Sequence, residues 1–123
     1  MLTSEYLKAL ADTNTLRIIN LLLNRSLCVC ELEALTDLKQ SNLSRHLSKL
    51  SRSGIISRSK EAQWVFYSIS EAFMHDHALL LSYLKDQFRS DHVFIQDSKR
   101  FEIFKEREMN CDNITQQLDI LKI

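Results

Sequence analysis

One glycine and no proline in 123 residues is the feature that most constrains this chain. Sandwiches and barrels turn often, and their turns draw on Gly, Asn, Asp and Pro. A chain so poor in Gly and Pro is expected to be built from helices joined by short connections. Its length suits one domain and leaves no room for an enzyme with separate cofactor and substrate domains. Hydrophobic residues make up 45% and charged residues 26%. That balance belongs to an ordinary globular protein and excludes a disordered or collagen-like one.

Apolar spacing then places the helices. Tyr6, Leu7 and Leu10 share one helical face, with Ser4 as a candidate N-cap. Asp12 or Thr13 restarts the chain, and Leu16, Ile19, Leu22 and Leu23 predict a second helix over 14–24. Leu27 is expected to enter a short third helix that holds Leu32 and Leu35 and ends near Asp37. Leu43, Leu47 and Leu50 predict a fourth over 40–53, stopped by Gly54.

After Gly54 the period changes. Residues 55–58 and 64–69 are rich in β-branched and aromatic side chains, and Ser59 to Gln63 separate them, which predicts a hairpin. Ser70 is expected to cap one longer helix with Phe73, His77, Leu80, Leu81, Leu84 and Phe88 on a stripe. Phe101 and Phe104 predict a short helix after Ser98, and Ile114, Leu118 and Leu121 another after Asn113. The predicted fold is mainly α with a small β-hairpin. Its third helix, turn and fourth helix form a helix-turn-helix, and the hairpin is the wing of a winged helix-turn-helix.

The neutral total charge hides a segregation. Residues 38–60 hold Lys39, Arg45, Lys49, Arg52, Arg58 and Lys60 and no acidic residue. The chain has 16 basic and 16 acidic residues, so the remainder carries ten basic against sixteen acidic. Positive potential therefore sits on the fourth helix and the wing, the parts that would meet phosphates. Ser41, Arg45, Ser48 and Arg52 lie opposite the leucine stripe. The N-terminal residues of a recognition helix reach base edges. Here those are Gln40, Ser41, Asn42, Ser44 and Arg45; Gln and Asn can pair with adenine and Arg with guanine. The bland alternative is a solvated polar face. His46 lies about 60° from the leucine stripe, where it can contact the DNA backbone or bond within the fold.

The cysteines number three, and Cys28 and Cys30 are two residues apart. A disulfide framework is not expected from an odd count; metal or redox chemistry is. Side chains at i and i+2 do not face each other on a helix, so two thiolates can share an ion only where the backbone leaves regular helix. A helix N-terminus permits that and favours thiolate. Soft thiolates select thiophilic ions. A ligand bound there should distort the element that supports the fourth helix. The bland alternative is a pair of core-facing thiols.

Four stretches together carry a resemblance: Leu10-Ala11-Asp12 through Leu16-Arg17-Ile18-Ile19 to Leu23, then Leu27-Cys28-Val29-Cys30-Glu31-Leu32, then Gln40 to Leu47, then Trp64-Val65-Phe66-Tyr67. In this order the chain resembles the ArsR/SmtB family of winged-helix metal-sensing repressors, from about Tyr6 to about Ser70. The next helix fits the family's dimerisation helix. The resemblance implies a homodimer on an inverted-repeat operator in double-stranded DNA, released when metal or metalloid binds. Residues 1–91 become the DNA-binding and dimerisation domain, and residues 92–123 a C-terminal helical extension. The Cys28/Cys30 box resembles that of the branch that senses arsenite and antimonite, or cadmium and lead; the first reading implies As(III) or Sb(III) as inducer and no cofactor required. Cadmium or lead is the alternative, weakened by an N-terminus without cysteines.

By position, Cys28 and Cys30 become metal ligands, Gln40 to His46 the DNA-reading segment with Lys49 beside it, and Arg58 and Lys60 wing contacts to phosphate. Where close relatives carry a third Cys this chain has Glu33; Cys111 is the candidate third thiol, within one chain or across the dimer, with Glu33 or solvent as the alternative third ligand and a buried or idle thiol as the bland reading of Cys111. The wing turn lacks the family's glycine. A zinc site on the dimerisation helix from His75, Asp76 and His77 is not expected, because Phe88 occupies a partner position. Thiol redox or persulfide sensing on the same scaffold is the second alternative. A Cys28–Cys30 disulfide would be strained, and pairing with Cys111 needs a proximity that spacing does not show. With no histidine near Cys28 in sequence and no phosphate loop or triad, the chain is expected not to be an enzyme. No segment is apolar enough to span a membrane and no secretory signal is evident, so a cytoplasmic protein is expected.

Overall fold

Local chemistry sets the first boundaries. In the computed structural model, which describes residues 2–114 and 117–122, the helices are α1 (Thr3–Leu10), α2 (Thr13–Leu22), α3 (Val29–Thr36), α4 (Gln40–Arg52), α5 (Glu71–Asp76), α6 (Ala78–Gln87) and α7 (His92–Glu106). The strands are β1 (Leu27–Cys28), β2 (Ile56–Glu61) and β3 (Trp64–Ile69), and a 3-10 turn spans Leu118–Leu121. Asp12 caps α2: its carboxylate accepts from the N–H of Asn14 at 2.8 Å and of Thr15 at 3.2 Å. Those bonds, the Thr15 one foremost, hold its pKa below the usual value. Gly54 ends α4 at φ 74°, a left-handed position suited to glycine, and Ile55 N–H bonds back to Leu50 C=O at 3.1 Å.

The helix-turn-helix is α3, a three-residue turn whose Asp37 sits at φ 60°, and α4. The wing follows as the antiparallel pair β2 and β3, in register from Ile56↔Ile69 to Glu61↔Trp64. It closes with Ala62 at φ 56° in the turn that lacks glycine. The fold is thus mainly helical with a small antiparallel sheet, a winged helix-turn-helix.

Several boundaries differ from the expected ones. Leu27 does not begin the third helix: Leu27 and Cys28 form β1, which adds a third strand against β3 in the order β1-β3-β2. Both are buried, and their backbone bonds the edge of β3 that the hairpin leaves open. The helix expected from Ser70 breaks at His77 (φ −128°, ψ 38°), where the ring packs 4.7 Å from Tyr6 and 5.0 Å from Phe73. Ser4 is not a cap; α1 starts at Thr3, and Glu5 accepts from the Leu2 N–H at 3.1 Å. α7 begins at His92, ahead of Ser98, because Phe94 and Asp97 are also buried on its inner face. The last expected helix is a 3-10 turn, and part of it, residues 115–116, lies outside the described residues.

One core joins these elements. Ile18, Ile19 and Leu21 of α2 pack with Leu32 and Leu35 of α3 and Leu43, Leu47 and Leu50 of α4. Phe94, Phe101 and Phe104 of α7, then Met109, Ile114 and Leu121, enter the same cluster. Residues beyond 91 therefore cover α2 and α3 directly. Leu7, Leu79 and Tyr83 stay exposed, Leu79 at 88%. No helix among the described residues is long and apolar enough to cross a membrane.

Candidate DNA interface and thiol cluster

The leucine stripe of α4 faces inward and its polar face outward. Gln40, Ser41, Ser44, Arg45, Ser48, Lys49 and Arg52 are exposed, and Asn42 is half-buried. Arg45 donates from Nη2 to Asn42 Oδ1, which presents guanidinium and amide side by side on the exposed face. Arg58 and Lys60 are exposed on β2, two residues apart and so on one face of the wing. His46 is 8% exposed with Nδ1 3.0 Å from Thr15 Oγ1. Of its two expected roles, the contact within the fold is the one made here: it ties α4 to α2.

The thiols meet where β1 becomes α3. Cys28 is extended (φ −92°, ψ 172°) and caps the helix that starts at Val29. That change of backbone brings the i and i+2 sulfurs together, with Cys28 Sγ 3.0 Å from Cys30 Sγ. Cys111 arrives from the segment after α7 and is joined to Cys28 by a disulfide across 83 residues. This corrects the expectation of no disulfide. The odd count does not say which two cysteines can meet, and the close spacing bears on Cys28 and Cys30 alone, whereas the pairing depends on how the C-terminal residues return over α3. The three sulfurs all lie within 4.8 Å of one another. Cys28 and Cys111 are buried and Cys30 is half-buried. Burial, then the neighbouring Glu31 carboxylate, pushes the Cys30 thiol pKa up.

A cavity of about 250 Å³ opens on the cluster, lined by Cys28, Cys30, Glu33, Gln40, Trp64 and Val65. It puts the first residue of α4 and two cysteine sulfurs around one space. Glu33 is exposed at its rim. His77 turns in toward Tyr6 and Phe73, while His75 is exposed beside Asp76.

Glu31 is a site residue that the sequence analysis missed. It is 3% exposed, and its Oε1 accepts the Cys28 N–H at 2.9 Å. The signal was present as a capping-box spacing, with Cys28 in place of Ser or Thr three residues before Glu31. Burial raises its carboxyl pKa, and the Cys28 N–H opposes this only in part. A raised native pKa gives stability that is fully present below the ordinary carboxylate range and is lost as pH rises through the native value. Glu31→Gln keeps an oxygen for Cys28 N–H and no longer ionises. Its urea midpoint should fall less than that of the parent as pH rises, and parallel midpoint curves would contradict this.

The comparisons fit this geometry. The family model described as bacterial regulatory protein, arsR family, matches residues 12–58. The chain is 47% identical to the transcriptional activator HlyU of Vibrio cholerae over 64 residues, 52% of this chain and 59% of that one. It is 39% identical to the arsenical resistance operon repressor of Escherichia coli over 71 residues, 57% of this chain and 61% of that one. The match thus spans about three fifths of each curated relative. A solved structure of Vibrio cholerae HlyU superposes with a TM-score of 0.58 at 41% identity, covering 66% of this chain and 88% of that one. A homodimeric winged helix-turn-helix DNA-binding domain of Mycobacterium bovis superposes with a TM-score of 0.60, covering 72% and 82%; at 22% identity it bears on the fold alone. By name these relatives are transcription regulators, not enzymes. The α4 face, the wing and the matched residues lead to one assignment: the chain belongs to the ArsR family of bacterial regulatory proteins.

Proposed function

We propose that this chain is a transcriptional repressor that holds operator DNA as a homodimer and releases it when As(III) or Sb(III) binds the thiolates of Cys28, Cys30 and Cys111. The observation that carries the reading is the meeting of three sulfurs within 4.8 Å at the start of the helix before α4. Trivalent arsenic favours three thiolates. Arsenite, As(OH)3, can exchange three hydroxyls for three sulfurs, each thiol proton leaving with a hydroxyl as water. The reduced cluster supplies the thiols, and the cytosol is the compartment that keeps them reduced. Closing the sulfurs on one ion pulls on Cys28, which is both the end of β1 and the cap of α3, and on the cavity shared with Gln40.

On the DNA side, Gln40, Ser41, Asn42, Ser44 and Arg45 offer donors and acceptors to base edges, and Lys49, Arg58 and Lys60 offer cations to phosphates. Exposed Leu7, Leu79 and Tyr83 on α1 and α6 supply an apolar face for the second copy. Fluorescence anisotropy of the reduced chain on DNA from upstream of its own coding sequence tests the reading. Tight binding that weakens steeply with salt and is abolished by arsenite is the expected result. DNA binding indifferent to arsenite overturns it.

The Cys28–Cys111 disulfide favours one second reading, a thiol redox repressor on the same scaffold. In that case peroxide takes two electrons and two protons from the two thiols and releases the DNA without any metalloid.

A further inference from the structure

Arg17 and Asp97 are 80 residues apart in sequence and form a two-pronged ion pair. Arg17 Nε donates to Asp97 Oδ2 at 2.7 Å and Nη2 to Oδ1 at 2.9 Å. The Asp97 side chain is fully buried and that of Arg17 is 12% exposed. The same Nη2 donates to the Thr36 carbonyl at 2.6 Å. Thr36 is the last residue of α3, and its hydroxyl also accepts from Leu38 N–H in the turn to α4. On its other side Asp97 receives Arg100 Nη1 at 3.3 Å, and Arg100 Nε donates to the Leu121 carbonyl at 3.2 Å.

α3 is therefore gripped at both ends by residues beyond 91. Cys111 holds its first turn through Cys28, and Asp97 holds its last carbonyl through Arg17. A charged pair buried this deeply costs desolvation and stays only where its bonds are well made. Its bonds lead from Asp97 through Arg17 to the exit of α3, with one further bond from Arg17 Nη1 to Asn14 Oδ1 at 3.4 Å within α2. Contiguous hydrogen-bonded networks of this kind can carry coupling between sites.

We infer that Asp97 is the positioning residue that couples the state of the thiol cluster to the helix-turn-helix, acting through Arg17 on Thr36. The inference rests on the proposed role of the cluster and deepens it. When Cys111 is drawn to the cluster, the C-terminal segment shifts as one piece with α7. Asp97 carries that shift to the carbonyl from which the chain enters α4.

The test uses the Cys28–Cys111 bond and no arsenic, so its failure is separate from failure of the metalloid reading. The full-length chain is prepared fully reduced, and then joined with diamide, which takes two electrons and two protons from the two thiols. Mass spectrometry of peptides confirms the joined pair. Amide hydrogen exchange is then read over residues 36–40 in both states, for wild type, Asp97→Asn and Arg17→Lys. In the wild type the two states are expected to differ in exchange rate by about 5–150-fold, the usual range for coupled sites. In Asp97→Asn that ratio should fall toward one although the disulfide still forms. A merely structural role would raise exchange in both states by the same factor and leave the ratio alone. Should Asp97→Asn fail to fold, Arg17→Lys decides: it keeps a cation beside Asp97, loses the two-pronged pair and the Nη2 bond to the Thr36 carbonyl, and should still reduce the ratio. A wild type with no difference, or variants that keep the full ratio, overturns the inference.

Discussion

The Cys30→Ser variant is expected to bind operator DNA as tightly as the wild-type chain and to stay bound when arsenite is added. Cys30 is the thiol left free beside the Cys28–Cys111 pair, half-buried and 3.0 Å from Cys28 Sγ. Serine is close in shape and disturbs little of the packing around Val29 and Ala34. Its hydroxyl is not a soft thiolate and does not select the same ions. One of the three proposed bonds to arsenic is then lost. The loss of arsenic affinity should exceed the roughly 10–100-fold seen when only an outer partner of a metal ligand is removed. The exposed polar side chains of α4 lie on another helix and keep their positions. Anisotropy with and without arsenite reads both parts, and release of the variant at wild-type arsenite concentrations contradicts the expectation.

Phe104→Ala is expected to cost about 3–5 kcal/mol, the range for removing a buried phenyl ring. Phe104 is fully buried on α7, with Phe101 stacked at 5.9 Å and the Arg25 guanidinium 4.7 Å over its ring. Domains of this kind are stable by about 5–15 kcal/mol in all, so the variant should be marginal. Because Phe104 shares a cluster with Ile18, Leu32 and Leu47, the loss should lower one cooperative urea transition of the whole chain. A variant with an unchanged main transition and only a loosened C-terminal segment would show that α7 is an appendage and not part of the core.

Much of this architecture is legible in the residues. The stripe of Leu43, Leu47 and Leu50 sets α4 because burial imposes a 3.6-residue period on one side only. The wing shows itself through β-branched residues and the charge segregation through simple position. Gly54 marks the end of α4 because a left-handed residue is needed there. What stays hidden depends on partners distant in sequence. β1 is two residues long and exists because β3 offers an open edge. His77 breaks a helix that periodicity would continue, and its ring packs against Tyr6 and Phe73, partners no local pattern announces.

The site divides in the same way. Cys28 and Cys30 announce themselves by spacing, and the exposed face of α4 by its serines and arginines. The meeting of Cys111 with them, and of Asp97 with Arg17, is a consequence of how the C-terminal segment returns over α3. No local pattern near residue 28 encodes it. Glu31 lies between these cases, because its spacing was visible and its burial was not.

The central claim is that three thiols form one site. Native mass spectrometry of the fully reduced chain titrated with arsenite, for wild type and Cys111→Ser, tests it most directly. The account predicts one arsenic per chain in the wild type, with three protons lost as the three sulfurs bind, and clearly weaker binding in Cys111→Ser. No arsenic bound to the wild type, or binding that Cys111→Ser leaves unchanged, would contradict it.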